Sequence, residues 1–338
     1  MYKISLVTGD GIGPELSESA IEVLNAVNDK FGIKVKVTRL EAGDEALKKT
    51  GKALPDETLD TIKKSDACLK APVGESAADV IVVLRRSLDL YANIRPAKSY
   101  PNMPALRENI DMVIVRENTE DLYTGMEFDI DDTSIALRTI SKGASERIAK
   151  YAFMTADQRN GKRKVTCVHK SNVMKKTDGL FSRSCQEVAK NYSKISFEQM
   201  YVDACAMNLI RQPESFDVIV TTNLFGDILS DEASQVVGGL GMAPAANIGD
   251  KFALFEPVHG AAFDIAGKQV ANPSSFILSA KMMFEWLGMK KNDKSCYDMA
   301  KKIEAAVYGT VKEGIKTKDI GGNKSTREFT QSVISRIT

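Results

Sequence analysis

The stretch KISLVTGDGIGPELSESAIEVLNAVN, residues 3–28, decides the fold. KISLV reads as a short buried strand, GDGIGPE as a glycine-rich turn, and the remainder as a helix. Pro14 suits a first helical turn, where its missing N–H would have no partner anyway. Leu16, Ala20, Ile21, Leu24 and Val27 then share one face. The same pattern recurs downstream. IKVKVTRLEAG (33–43) alternates like a strand, and PDETLDTIKKS (55–65) is helical with an acidic first turn. DACLKAPVG (66–74) is another buried strand, and SAADVIVVLRRSLDLY (76–91) another helix. Strand and helix alternate, which predicts a parallel sheet covered by helices.

The middle of the chain continues in kind. Strands are expected at DMVIVRE (111–117), RKVTCVHK (163–170) and FDVIVTT (216–222). Helices are expected at 144–158, 177–190, 232–239 and 272–288, with two more after that. Residues 126–141, MEFDIDDTSIALRTIS, alternate with no helical period and read as a hairpin. Such a hairpin either serves a partner subunit as an arm or lies on its own domain. The 338 residues suggest two domains. No Pro/Ser-rich linker divides them, so the chain is expected to cross between them more than once.

Composition excludes several function classes. The net charge is +1, so there is no global field for nucleic acid or an anionic membrane. The five cysteines are scattered without a CxxC pair, which argues against a disulfide framework or a thiolate zinc site. A cytoplasmic setting is the simplest expectation. The N-terminus carries no signal-peptide pattern, and no apolar run spans a bilayer.

The chemistry-bearing residues stand at the ends of apolar runs, where α/β proteins build their sites. Arg85 and Arg95 flank the turn in LRRSLDLYANIRP, and Arg116 follows DMVIV. Their planar forks suit a carboxylate-rich small molecule, or they are separate surface arginines. Tyr123 follows in VRENTEDLY, either as a proton donor or as a packed ring. His169, Lys170 and Asn172 follow the strand KVTCV. Lys170 is a candidate base or a solvated lysine, and His169 reads as structural. In NLFGDILSDE (223–232), Asp227 and Asp231 are four residues apart and share a helix face. They form either an acidic helix start or a site for a hard cation such as Mg2+ or Mn2+, with Asp203 as a third ligand. In FEPVHGAAFDIAGKQVANP (255–273), small residues surround His259, Gly260, Asp264 and Asn272, and backbone can approach a ligand closely there. GDGIGPE itself is not GxGxxG, and no P-loop lysine follows it.

Taken in order, GDGIGPE, LRRSLDLYANIRP, VRENTEDLY, HKSNVMK, NLFGDILSDE and FEPVHGAAFDIAGK…ANP resemble the β-decarboxylating dehydrogenases, the isocitrate/isopropylmalate dehydrogenase family. The resemblance runs from residue 3 to the C-terminus. It implies a two-domain α/β fold unlike the usual dinucleotide-binding fold. Residues 1–92 with 240–338 would form the large domain, with both termini and the cofactor loop. Residues 93–239 would form the small domain, with the metal site and the dimer interface. The hairpin at 126–141 would clasp a partner in a homodimer with shared active sites, and such dimers can pair into tetramers. The implied reaction is NAD(P)-dependent oxidation of a (2R,3S)-2-hydroxy acid followed by metal-assisted decarboxylation.

Residue by residue, the resemblance implies that Arg85, Arg95 and Arg116 hold the substrate carboxylates. Asp227 and Asp231 would bind Mg2+ or Mn2+ with Asp203 of the partner. Lys170, also from the partner, would be the general base and Tyr123 the proton donor. Ile12, Asn172, Glu256, His259, Gly260, Asp264 and Asn272 would surround the cofactor. Asp264 stands where NADP-dependent members carry lysine, so NAD is expected. Family members commonly read HG[ST]AP where this chain has HGAAF (259–263), which is expected to loosen that loop. Ile81 and Val82 occupy the specificity turn before Arg85, where they would form an apolar wall suited to an isopropyl group, and Asp79 would repel a carboxylate. GESAADV (74–80) also resembles archaeal isopropylmalate members, whereas LRRSLDLYANIRPAKS is like homoisocitrate members, and Arg86 is a cation that could meet a longer acid. The expectation is 3-isopropylmalate, with homoisocitrate or isocitrate as the alternative. A non-catalytic relative would be expected to lack Lys170, Tyr123 or an aspartate, and all are present.

Overall fold

The computed structural model describes residues 1–337. The opening pattern folds as expected: β1 (Tyr2–Val7) leads through the glycine turn into α1 (Gly13–Phe31). β2 (Val35–Leu40), α2 (Asp44–Thr50), α3 (Asp56–Lys63), β3 (Ala67–Lys70) and α4 (Asp79–Ser87) follow. The chain then runs through β4 (Ala92–Lys98), β5 (Asp111–Glu117) and a hairpin of β6 (Glu127–Ile130) and β7 (Thr133–Ala136). Next come α5 (Lys142–Arg159), β8 (Lys164–His169), α6 (Thr177–Ala189), β9 (Ser196–Tyr201), α7 (Val202–Arg211) and β10 (Val218–Thr221). α8 (Asn223–Val236), β11 (Pro244–Ile248), β12 (Ala253–Pro257), α9 (Ser274–Lys291), α10 (Lys294–Lys312) and α11 (Thr326–Arg336) complete it. Among the described residues, no helix is long and apolar enough to cross a membrane.

Ten strands form one mixed sheet in the order β2-β1-β3-β12-β11-β4-β5-β10-β8-β9. Two parallel blocks, β2-β1-β3-β12 and β5-β10-β8-β9, are joined through the antiparallel pairs β12–β11, β11–β4 and β4–β5. β4 escapes a pattern reading because Pro96 interrupts it. The proline is tolerated because β4 pairs with β11 only over Ala92–Ile94, so at Pro96 no bond to β11 is lost. Arg95 therefore sits inside a strand, not at the end of an apolar run as the sequence suggests.

Strand side chains alternate between faces, and here the two faces differ. On one face, Ile4, Leu69, Phe255, Ala246, Ile94, Val115, Val220 and Cys167 share a single core that spans the sheet under α1, α5, α6 and α9–α11. The other face carries two separate cores. Val7, Cys68 and Leu254 pack with Ile62 of α3 and with Val80 and Leu84 of α4. Ile114, Ile219 and Val168 pack with Cys205 and Leu209 of α7 and Leu229 of α8. Between these cores the same face presents Lys70, Glu256, Asn247, Asn93, Arg95 and Arg116, all buried, with Ala245 the small apolar residue among them. The register aligns Asn247 with Asn93 and Asn93 with Arg116 across neighbouring strands. The fold thus leaves a polar seam where two helical layers part.

Candidate active site

The seam is a hydrogen-bonded row. Lys70 Nζ binds Glu256 Oε2 at 3.0 Å, and Asn247 Nδ2 donates to Glu256 Oε1 at 2.8 Å. Asn247 Oδ1 accepts from Asn93, from Asn118 and from Arg85 Nε, the last at 2.9 Å. Arg85 also lies 3.6 Å from Glu256. Burial pushes the Glu256 carboxyl up, but Lys70 and Arg85 outweigh it and hold the group below its usual range. Burial depresses Arg85 and Arg116, and each lies near further arginine charge. Glu256 has both oxygens engaged within the sheet, where it also lies beside Arg85.

Sequence drives α8 onto this row. Thr222 and Asn223 end the buried strand β10 and open the helix. Asn223 Oδ1 accepts from Arg116 Nε at 2.9 Å. Gly226 permits the approach, since a Cβ there would lie 2.5 Å from Cγ of Arg116. Asp227 pairs with Arg116, lies 3.2 Å from Arg95 Nη1, and accepts the Tyr123 hydroxyl. Asp231, one turn later, also meets Arg95 at 3.2 Å. The Arg116 guanidinium stands 5.0 Å from the centre of the Tyr123 ring, and its Nη2 is buried with no partner. Burial pushes the Asp227 carboxyl up, but Arg116 and Arg95 bring it below the usual range. Burial raises the Tyr123 phenol, which therefore keeps its proton at neutral pH.

Arg85, Arg95, Arg116, Tyr123, Asp227 and Asp231 are thus one site. Lys170 and Asp203 are not part of it within this chain; they ion-pair with each other at the ends of β8 and β9. That contact lowers the Asp203 carboxyl. Among the described residues of one chain, no cluster of three metal-ligating side chains forms. Two carboxylates on one helix face still fit part of a hard-cation site with oxygen ligands. His169 is structural as expected, with Nε2 3.0 Å from Gln199.

Ile81 and Val82 lie one turn before Arg85 on α4, and both are half-buried. Ile81 leans on the core beneath the helix. Arg86 reaches across and donates to the Tyr123 carbonyl at 2.7 Å. The glycine turn supports the 259–263 loop. Gly11 has φ +58°, and a Cβ there would lie 2.0 Å from the Ala261 carbonyl oxygen. That carbonyl accepts from the buried Ile12 N–H at 2.8 Å. Asp264 is exposed in the short turn Phe263–Ile265, with Gly260 exposed nearby. His259 bonds the Gly260 carbonyl, and burial lowers its pKa. Asn272 is fixed by Asp319 and the Ser274 N–H. Asn172 is exposed beyond Lys170.

A family profile described as isocitrate/isopropylmalate dehydrogenase matches residues 3–333. The chain belongs to the isocitrate/isopropylmalate dehydrogenase family. A 3-isopropylmalate dehydrogenase of Archaeoglobus fulgidus is 53% identical, with 99% of each chain covered. An isocitrate/homoisocitrate dehydrogenase of Thermus thermophilus is 46% identical, covering 99% of this chain and 98% of that one. The crystal structure of isocitrate dehydrogenase from Methylococcus capsulatus superposes with a TM-score of 0.92 at 41% identity, covering 100% and 99% of the two chains. Within this family fold, sequence reasoning missed Lys70, Asn93, Asn247 and the supporting role of Asn223. Each is an isolated polar residue in an apolar strand or at a helix start. Such residues signal a site only when the neighbouring strands are known.

Proposed function

We propose that the chain catalyses NAD-dependent oxidative decarboxylation of 3-isopropylmalate to 4-methyl-2-oxopentanoate and CO2, in leucine biosynthesis, with Mg2+ or Mn2+. The observation that carries the reading is the buried, unpartnered Nη2 of Arg116, set beside Arg85 and Arg95 and two aspartates. A buried guanidinium N–H without an acceptor is costly, and a substrate carboxylate would satisfy it. Similar archaeal chains, 50–53% identical, carry the name 3-isopropylmalate dehydrogenase.

In this reading the three arginines bind and orient the two carboxylates. Lys170 of a partner would take the proton from the 2-hydroxyl, and bound NAD would supply the hydride acceptor. After CO2 departs, the protonated Tyr123 phenol returns a proton to carbon, and Asp227 holds that phenol in place. Asp227 and Asp231, with Asp203 of a partner, would hold a divalent cation, which would supply Lewis-acid polarisation of the hydroxyl and its neighbouring carboxylate. Ile12, Asn172, Glu256, His259, Gly260, Asp264 and Asn272 would surround NAD, and the exposed Asp264 carboxylate would favour NAD over NADP. Glu256 also contributes indirectly by fixing Arg85.

Ile81 and Val82 form the wall for the isopropyl group. Arg86 is engaged by the Tyr123 carbonyl, which favours this acid over one needing a further cation. Two domains, 1–92 with 240–338 and 93–239, and a homodimer clasped by the hairpin complete the proposal. Exposed Met126, Phe128 and Ile130 on the hairpin, and Met207, Ile210 and Ile228 on α7 and α8, support it as apolar surface available to a partner. The five buried, unpaired cysteines accord with a cytoplasmic location.

The test follows NADH formation with Mg2+ or Mn2+ and each of 3-isopropylmalate, isocitrate and homoisocitrate. The highest kcat/KM is expected with 3-isopropylmalate and NAD+. A preference for another acid overturns the Ile81/Val82 assignment, and a preference for NADP+ overturns that of Asp264.

A further inference from the structure

Immediately after β7, Arg138 turns its guanidinium inward over the Phe225 ring, 4.7 Å from the ring centre. It meets two carboxylates whose side chains are wholly buried, Asp121 and Asp178. Nε lies 2.5 Å from Asp121 Oδ1 and Nη2 lies 3.1 Å from Oδ2, a bidentate pair. Nη1 lies 2.6 Å from Asp178 Oδ1, and Nη2 also reaches Thr222 Oγ1 at 2.7 Å. Every nitrogen of the fork is used, which a lysine cannot reproduce.

The partners of this fork are next to the residues that do the chemistry. Asp121 stands two residues before Tyr123, in a left-handed conformation with φ +74°. A non-glycine residue there is strained and persists only when its surroundings hold it. Arg138 holds its side chain, and the Thr139 carbonyl accepts its N–H at 2.9 Å. Asp178 Oδ2 accepts the backbone N–H of Lys170 at 2.5 Å. Thr222 is the N-cap of α8, and Asp121 Oδ2 accepts the Leu224 N–H in its first turn at 3.1 Å. α8 in turn carries Asp227 and Asp231.

We infer that Arg138 is a positioning residue, one guanidinium that holds the Tyr123 turn, the Lys170 backbone and the acidic helix α8 in fixed register. An ion pair serving only stability could be anchored anywhere in the fold. This one is anchored within two residues of Tyr123, at Lys170 itself and on the first turn of α8. The inference rests on the proposed roles of Tyr123 and Lys170, but its first test does not depend on them.

That test compares amide hydrogen exchange in the full chain and in Arg138→Lys, which keeps the charge and loses the fork. Faster exchange is expected at 121–125, 170–174 and 222–226, with β1 and β3 unchanged. Uniformly faster exchange, or none, overturns the inference. Should Arg138→Lys fail to fold, Thr222→Val removes the direct bond from Arg138 to α8 and leaves the Asp121–Leu224 bond in place. It is then expected to loosen 222–226 alone, and unchanged exchange there overturns the inference. In the activity assay, kcat of Arg138→Lys is expected to fall ~10- to 100-fold with KM for the acid nearly unchanged, the effect of displacing reacting groups by about 1 Å. A loss confined to KM, or no loss, overturns the role in positioning. A wild-type chain inactive on all three acids would refute the proposed reaction and leave the exchange result standing.

Discussion

At the scale of single residues, the seam shows why a buried charge can be kept. Glu256 and Lys70 are both buried, and neither faces water to offset its desolvation. What keeps Glu256 ionised is Lys70, Arg85 and the Asn247 amide. Its folded pKa lies below the ordinary glutamate value, so the sign of the linkage is set. The stabilisation is present above about pH 4.3 and is lost as pH falls through the lower, folded value. Glu256→Gln leaves Lys70 buried without a counter-charge, and a cost of about 3–5 kcal/mol is expected at neutral pH. Urea denaturation would measure it. The gap between wild type and variant should narrow as the pH drops below the ordinary glutamate range, where the wild-type carboxyl also becomes neutral. A gap independent of pH would mean that Glu256 acts through shape alone.

At the scale of elements, α8 shows how a local sequence prepares a site. NLFGDILSDE places Asp227 and Asp231 one turn apart, and Gly226 lets the helix lie on Arg116. Gly226→Ala puts a methyl 2.5 Å from Cγ and 2.7 Å from Cβ of the buried Arg116, so one side of the contact must shift. A destabilisation of about 1–3 kcal/mol is expected from such overpacking. Because Arg116 is what moves, KM for the acid should rise as well. Lost stability with unchanged KM would show that the helix, not the arginine, gives way. This element was legible in part: the i, i+4 spacing and the preceding apolar strand follow from periodicity, but the helix runs from Asn223 to Val236 and not over 232–239. β4 was not, because Pro96 breaks the alternation and its place depends on pairing with β5 and with β11, the latter distant in sequence. Likewise the arginines could be nominated from their types and spacing. Their convergence needed the strand order, which one chain's pattern does not encode locally. The link from Arg138 to Asp121 and Asp178 was hidden for the same reason.

At the scale of the whole molecule, the sheet divides the proposed machinery. The arginines, Tyr123, Asp227 and Asp231 converge on the seam, while Lys170 and Asp203 pair with each other at the ends of β8 and β9. If both sets act together, one chain must lend Lys170 and Asp203 to another. In a twofold-symmetric dimer the exchange is mutual, so each of two sites draws on both chains. This has a consequence that single mutants cannot reveal. Lys170→Ala and Asp227→Asn should each abolish turnover. When the two variants are unfolded together and refolded in equal amounts, random pairing makes about half of the dimers mixed, each with one of its two sites intact. About a quarter of wild-type activity should therefore return. Refolding either variant alone should return none, which controls for incomplete inactivation. If the mixture stays inactive although native mass spectrometry detects mixed dimers, Lys170 and Asp227 of the same chain serve one site. The Lys170–Asp203 pair would then have to open and reach the seam within its own subunit.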